Sequence, residues 1–174
     1  RRRDCPTIVT PHDGEFARMG GDLSDGDRVT AARKFSMTYG CLLVLKGHRT
    51  IVSLPDGEVF VNTTGNSGMA KGGSGDVLGG ILVSLLAQGM HPVKAAACAV
   101  WIHGRAGDLC AQSLGERGMT PSDMIRALHK AGIECIMEMY FPKGTPSLQM
   151  IRSLWFWKLY YHVDGFHLLG DGVQ

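Results

Sequence analysis

Between Gly65 and Gly75 the chain reads Gly65-Asn66-Ser67-Gly68-Met69-Ala70-Lys71-Gly72-Gly73-Ser74-Gly75, and after Asp76 it turns without a break into Val77-Leu78-Gly79-Gly80-Ile81-Leu82-Val83-Ser84-Leu85-Leu86. Val77, Leu78, Ile81, Leu82, Leu85 and Leu86 have the spacing of a helix that buries one face. A flexible loop therefore opens directly onto a helix N-terminus, where unpaired N–H groups and roughly half a positive charge attract anions, phosphate above all. Glycine at 72, 73 and 75 lets main chain approach such an anion in conformations that side chains forbid.

Two familiar phosphate loops are excluded. Lys71 follows Ala70, so the order G-x-x-x-x-G-K-[ST] is not met, and Leu78 stands where the third glycine of G-x-G-x-x-G would fall. Asp76 is unexpected beside a phosphate cradle, because a carboxylate repels the ligand. Either it caps the helix, or the helix terminus keeps it ionised to accept a proton or hold a metal.

A chain of 174 residues suits one domain with a sizeable core. Its formal charge of +2 argues against a dedicated nucleic-acid binder. Arg1-Arg2-Arg3 is a basic run too short to form a patch, and no apolar signal core follows it. The apolar runs fall short of the ~20 residues needed to cross a bilayer, so no membrane partner is expected. Five cysteines without a C-x-x-C pair read as reduced thiols of a cytoplasmic protein and not as metal ligands.

In order, Cys5 to Val9 is predicted to be the end of a strand, delivering Thr10-Pro11-His12-Asp13-Gly14-Glu15 to its C-terminal edge, and a helix is expected from near Glu15. A second helix is predicted from about Asp25 to Tyr39, closed by Gly40. The apolar run Cys41-Leu42-Leu43-Val44-Leu45 fits a strand covered on both faces and brings Lys46 to Thr50 to the same edge. Residues 50–54 and 58–62, joined by Pro55-Asp56-Gly57, read as a hairpin. A helix from Pro92 to about Leu109 carries a small-residue face (Ala95, Ala96, Ala99, Ala106), with Gly115 and Gly118 closing it off. Thr120-Pro121-Ser122-Asp123 starts another helix. Beyond Ala131 eight of the chain's thirteen aromatic residues gather between Tyr140 and Phe166 without a clean period, and this tail receives no role. Strands alternating with helices predict an α/β fold with a mainly parallel sheet flanked by helices. Its ligand edge would gather residues 10–15, 46–50 and 72–76 into a pocket suited to phosphoryl transfer.

These motifs also resemble, in order, those of the NAD(P)H-hydrate dehydratases, ribokinase-like enzymes dependent on ADP or ATP. The resemblance lies in Thr10-Pro11-His12-Asp13-Gly14-Glu15, Lys46-Gly47-His48-Arg49-Thr50, Gly65-Asn66-Ser67-Gly68-Met69-Ala70 and Gly72-Gly73-Ser74-Gly75-Asp76-Val77-Leu78-Gly79-Gly80. His103-Gly104-Arg105-Ala106-Gly107-Asp108 is similar to a helix motif of the same family. It covers roughly residues 7 to 130 and implies that residues 1–130 are the C-terminal portion of such a domain, whose fold would begin before Arg1, with 131–174 an atypical tail.

The resemblance implies repair of hydrated NADH and NADPH, in which a nucleotide phosphate converts the ring hydroxyl into a leaving group. His12 would contact the hydrated coenzyme, and Lys46, Gly47, His48, Arg49 and Thr50 would line the nucleotide site. Gly72, Gly73, Ser74 and Gly75 would meet its phosphates, and Asp76 would reach the substrate hydroxyl as a base. ADP or ATP with Mg2+ is the implied cofactor set, although no carboxylate cluster marks a metal site, and a homo-oligomer is compatible with it. Two other readings stay open: a ribokinase-like kinase of a vitamin precursor, and a non-catalytic nucleotide-binding fragment. Lys71 could be a phosphate ligand or a surface residue. His103 and Asp108 are expected in helix packing and capping, and His48, His91, His129, His162 and His167 show no ligand spacing among themselves.

Overall fold

The computed structural model describes residues 5–161 and 163–171; the Arg1-Arg2-Arg3 run and His162 lie outside them. The first strand is shorter than expected, β1 (Ile8–Val9), and is followed by α1 (Asp13–Arg18) and α2 (Arg28–Tyr39). Next come β2 (Leu42–Leu45), β3 (Ile51–Ser53) and β4 (Val59–Val61), then α3 (Ser74–Ala87), α4 (Pro92–Gly118) and α5 (Pro121–Lys130). The tail forms β5 (Ile136–Tyr140), α6 (Ser147–Tyr161) and β6 (Gly165–Leu169).

The main sheet has the order β1-β2-β3-β4. β1 pairs parallel to β2, with Ile8 opposite Leu42, and the expected hairpin supplies the antiparallel β2–β3 and β3–β4 pairs. The described sheet is thus mixed, its parallel pair carrying residues 10–12 and 46 to one edge, where a further parallel bridge joins His12 to Lys46. β2 is buried at every position, because alternate side chains enter two different cores. Leu42 and Val44 pack with Leu78 and Leu82 of α3 and Ala95, Ala96 and Ala99 of α4. Leu43 and Leu45 pack on the opposite face with Phe16, Ala32 and Phe35. A third cluster, including Ala106, Cys110, Met119 and Met124, joins α4 to α5.

Four helix boundaries differ from the sequence reading. α1 starts at Asp13, because His12 forms its cap: Nδ1 accepts the Glu15 N–H at 3.1 Å while Glu15 Oε2 accepts the His12 N–H at 2.7 Å. α2 starts at Arg28, where the Asp27 carboxylate accepts the N–H groups of Val29 and Thr30. α3 starts at Ser74, three residues before the apolar run, with Gly73 as cap. α4 continues past Leu109 as far as Gly115, whose non-helical φ 71°, ψ 155° breaks the helix where the sequence placed a closing glycine, and a short helical piece follows to Gly118.

The aromatic tail is ordered as a β-α-β unit, with β5 and β6 parallel and Ile136 opposite Gly165. It is tied to α5 by polar contacts. Arg126 donates to the Tyr160 carbonyl at 2.9 Å, and Asp164 accepts the Cys135 N–H at 2.7 Å while facing His129 Nδ1 at 3.0 Å. No described helix is long and apolar enough to cross a membrane, and all five cysteines are free thiols.

Candidate nucleotide-phosphate site

The site is assembled from the loops that follow β1 and β2 and from the start of α3. Gly73 takes φ 93°, ψ −20°, a left-handed conformation that costs an L-residue with a Cβ about 1–2 kcal/mol. Glycine there turns the chain into the helix and leaves its first amides outward. Among the described residues, the N–H groups of Gly72, Gly73 and Gly75 meet no acceptor, whereas Ser74 and Asp76 N–H are already spent on the Lys71 and Gly73 carbonyls. The cradle therefore offers three amides and not five.

Lys46 reaches this cradle from the end of β2. A methyl group placed on Gly75 would lie 3.3 Å from Lys46 Nζ, so the ammonium borders the start of α3 at Gly75. The Lys46 ammonium also sits 3.4 Å from Glu15 Oε2. Glu15 thus connects the first two motifs, and its carboxyl is held below the usual range by the His12 N–H first and by the Lys46 charge after it. Sequence placed Glu15 in the same turn without a task; only the three-dimensional pairing of β1 with β2 supplies one.

The remaining residues of the 46–50 loop are held by their main chain. Arg28, at the start of α2, donates to the Lys46 carbonyl at 3.0 Å and the His48 carbonyl at 3.1 Å, and it pairs with Asp13 at 2.8 Å. One guanidinium therefore fastens the loop to α1, a role with no local sequence signal. Thr50 Oγ1 donates to the Gly47 carbonyl at 3.2 Å. Gly47, His48 and Arg49 are exposed, with Arg49 at φ 55°. His12 presents an imidazole 56% exposed.

On α3 itself, Ser74 is buried and its hydroxyl finds no partner among the described residues. Its contribution is positional: the buried His103 lies with Nε2 2.8 Å from the Ser74 carbonyl, fixing where α3 begins. Burial pushes the His103 imidazole below its ordinary value, and the contact to the Ser74 carbonyl opposes this. A neutral ring donating from Nε2 satisfies both. Asp76, three residues past the Gly73 cap, is exposed, and the cap has no side-chain hydrogen bond. Its carboxylate does not cap the helix and is left facing solvent beside the free amides.

The other two motifs hold the 64–69 loop on α4. Asp108 accepts the Gly65 N–H at 3.0 Å and the Asn66 side-chain amide at 3.2 Å, so it anchors a loop and caps nothing. Gly104 permits that loop to lie on α4: a methyl group there would meet Thr64 Oγ1 at 2.2 Å and the Thr64 carbonyl at 2.8 Å. Lys71 is not a loose surface charge, and its ammonium is engaged away from the cradle. It donates to the Arg117 carbonyl at 2.9 Å and to the Met119 carbonyl, at the end of α4.

Two open depressions flank the cluster. One of about 680 Å³ lies over Asn66, Arg105, Asp108 and Glu116, and another of about 430 Å³ over Thr10, Pro11, Glu15 and Arg18. Neither includes Asp76. Phosphate oxygens fit the cradle, which has free amides, a left-handed glycine and an ammonium 3.3 Å from the Gly75 methyl position. A preformed metal cage does not: among the described residues no three carboxylate, histidine or cysteine side chains group together. Mg2+ commonly arrives with substrate phosphates and keeps several waters, so such a site requires no cage.

Known proteins share the sequence and fold of most of this chain. The sequence profile described as NAD(P)H-hydrate dehydratase matches residues 1–130. An ADP-dependent (S)-NAD(P)H-hydrate dehydratase of Neisseria meningitidis is 50% identical over 117 residues, 65% of this chain and 40% of that one. The ADP/ATP-dependent NAD(P)H-hydrate dehydratase of Bacillus subtilis, co-crystallised with ATP/Mg2+, superposes with a TM-score of 0.68 at 31% identity, covering 75% of this chain and 50% of that one. A ribokinase-like superfamily protein of Enterococcus faecalis superposes with a TM-score of 0.63 at 34% identity, over 71% of this chain and 43% of that one. The chain thus spans half or less of each relative's length. With the profile matching three quarters of its residues and the ribokinase-like α/β fold present, the chain belongs to the NAD(P)H-hydrate dehydratase family.

Proposed function

We propose that this chain carries the phosphate-binding and base-bearing part of an ADP- or ATP-dependent dehydratase acting on the hydrated forms of NADH and NADPH, working in the cytoplasm. The observation that carries the reading is the placement of Lys46 Nζ 3.3 Å from where a side chain on Gly75 would begin, with the Gly75 amide unpaired among the described residues and the exposed carboxylate of Asp76 next in the chain.

In this reading the nucleotide supplies a phosphoryl group that turns the ring hydroxyl into a leaving group. Gly72, Gly73 and Gly75 bind its phosphate oxygens through their amides, and Lys46 neutralises charge on the bridging side. Gly47, His48, Arg49 and Thr50 border the nucleotide on the β2 side, and His12 orients the hydrated coenzyme across from them. Asp76 takes the proton of the substrate hydroxyl as its oxygen attacks the terminal phosphorus and the bond to the departing nucleotide breaks. The ring then loses phosphate from the hydroxyl-bearing carbon and a proton from its neighbour, which restores the double bond. Residues 1–130 carry this chemistry, and residues 131–174 take no part in it.

Mixing the chain with NADH hydrate, Mg2+ and ADP or ATP should restore the absorbance of the reduced nicotinamide ring. A flat trace from protein that demonstrably binds ADP would overturn dehydration as its activity. Accumulation of a stable phosphorylated alcohol from a vitamin precursor would replace it with the kinase reading.

A further inference from the structure

Glu15 is the residue of the cluster that the proposed chemistry leaves without work, yet it touches both sides of the site. Its Oε2 accepts the His12 N–H at 2.7 Å, Lys46 Nζ stands 3.4 Å from the same oxygen, and its Oε1 is 3.7 Å from His12 Nε2. Lys46 in turn borders Gly75. A carboxylate this close to an anion cradle should weaken phosphate binding by simple repulsion. Its presence makes sense if it contributes more by holding the ammonium than it costs by charge.

We propose that Glu15 is a positioning residue, which fixes the Lys46 ammonium beside Gly75 at the start of α3 and thereby sets the affinity of the cradle for a nucleotide's phosphates. A lysine side chain has four rotatable bonds and loses much freedom when fixed. Glu15 meets part of that cost before the ligand arrives. Its own carboxylate is fixed in place by the His12 N–H, so the order is transmitted from the rigid α1 cap to a side chain of β2's trailing loop. The inference rests on the nucleotide reading, and the experiment separates the two.

ADP and, separately, inorganic pyrophosphate are titrated by calorimetry into the unaltered chain, Glu15→Gln, Glu15→Asp, Lys46→Gln and the double variant Glu15→Gln/Lys46→Gln. Gln keeps an acceptor for the His12 N–H, and Asp keeps the charge on a shorter arm. Glu15→Gln and Glu15→Asp should each bind ADP about threefold more weakly, the size expected for a partly exposed ion pair. In the Lys46→Gln background the Glu15→Gln change should do nothing or strengthen binding, a non-additivity that a merely structural role would not produce. Equal or tighter binding by Glu15→Gln in the Lys46 background would overturn the positioning role and leave Glu15 as a repelling charge. Should Glu15→Gln fail to fold, Glu15→Asp decides between the same two outcomes. No binding of ADP or pyrophosphate to the unaltered chain would overturn the nucleotide site itself, and the role of Glu15 with it.

Discussion

His103 Nε2 lies 2.8 Å from the carbonyl oxygen of Ser74, so the middle of α4 grips the first residue of α3. The contact is buried, and both ends matter: α3 begins where the imidazole reaches it, and the outward amides of the cradle follow from that starting point.

Loss of the His103 proton donor should therefore act on the cradle without touching it. His103→Ala leaves the Ser74 carbonyl short of its buried partner and opens a small cavity, a cost of about 1–3 kcal/mol. Calorimetric unfolding reads the stability, and ADP titration should show weaker binding in protein that is still folded at the assay temperature.

The same histidine makes stability depend on pH. Its native value is pushed below the ordinary 6.5 by burial, so the unfolded chain binds the extra proton first. Stability from this group is complete above about 6.5 and is lost as pH falls from there through the lowered native value. Denaturant melts between pH 7.5 and 5 should show a decline that His103→Gln flattens. An unchanged slope in the variant would mean that the decline comes from other groups.

Much of this architecture is legible in the sequence because its signals are local. The apolar run 41–45 announces a strand buried on both sides, and Leu42 through Leu45 enter two cores as that implies. The glycines before the apolar run announce a turn into a helix, and Gly73 makes it at φ 93°. What sequence hides depends on distant partners. Nothing near Arg28 says that its guanidinium will hold the Lys46 and His48 carbonyls, and nothing near Lys71 says that it will serve the end of α4. The tail shows no period because burial did not sort it. Ile136 and Tyr140 of β5, and Leu148, Trp155 and Leu159 of α6, are large apolar side chains left exposed, so polar and apolar positions do not alternate with the fold.

Lys46 and Lys71 flank the same loop and should fail in opposite ways. Lys71→Met removes a donor from the Arg117 and Met119 carbonyls and should lower stability by about 1–2 kcal/mol with ADP affinity nearly unchanged. Lys46→Met removes a partly exposed ion pair with Glu15 and should cost under about 1 kcal/mol of stability, while ADP affinity falls at least tenfold. Parallel melts and titrations of the two variants test the assignment, and swapped outcomes would move the phosphate ligand to Lys71.

Gly104→Ala tests how the 64–69 loop rests on α4. Alanine favours helix over glycine by about 1 kcal/mol, so an unobstructed site would be stabilised. Here the added methyl meets Thr64 Oγ1 at 2.2 Å and main-chain atoms at 2.8 Å, and overpacking of this kind costs about 1–3 kcal/mol. The net effect should be destabilisation, read as a lower Tm, with the 64–69 loop displaced from α4. A higher Tm would show that the loop does not rest on Gly104.

Asp76 gives the sharpest separation of binding from chemistry. Its carboxylate sits in the first turn of α3 without a hydrogen-bond partner among the described residues, so Asp76→Asn should lose only the favourable charge at a helix N-terminus, about 0.3–1 kcal/mol. Removing a negative charge beside the free amides of Gly73 and Gly75 should leave ADP affinity unchanged or modestly raised, since repulsion falls. Turnover of NADH hydrate should nevertheless drop by ~10²-fold or more, the range for removing a general base. A falling rate with steady or tighter nucleotide binding assigns the carboxylate to proton transfer. Equal losses in both, together with a lower Tm, would assign it to the helix end alone, and the proposed base would have to be sought on another of the loops that meet there.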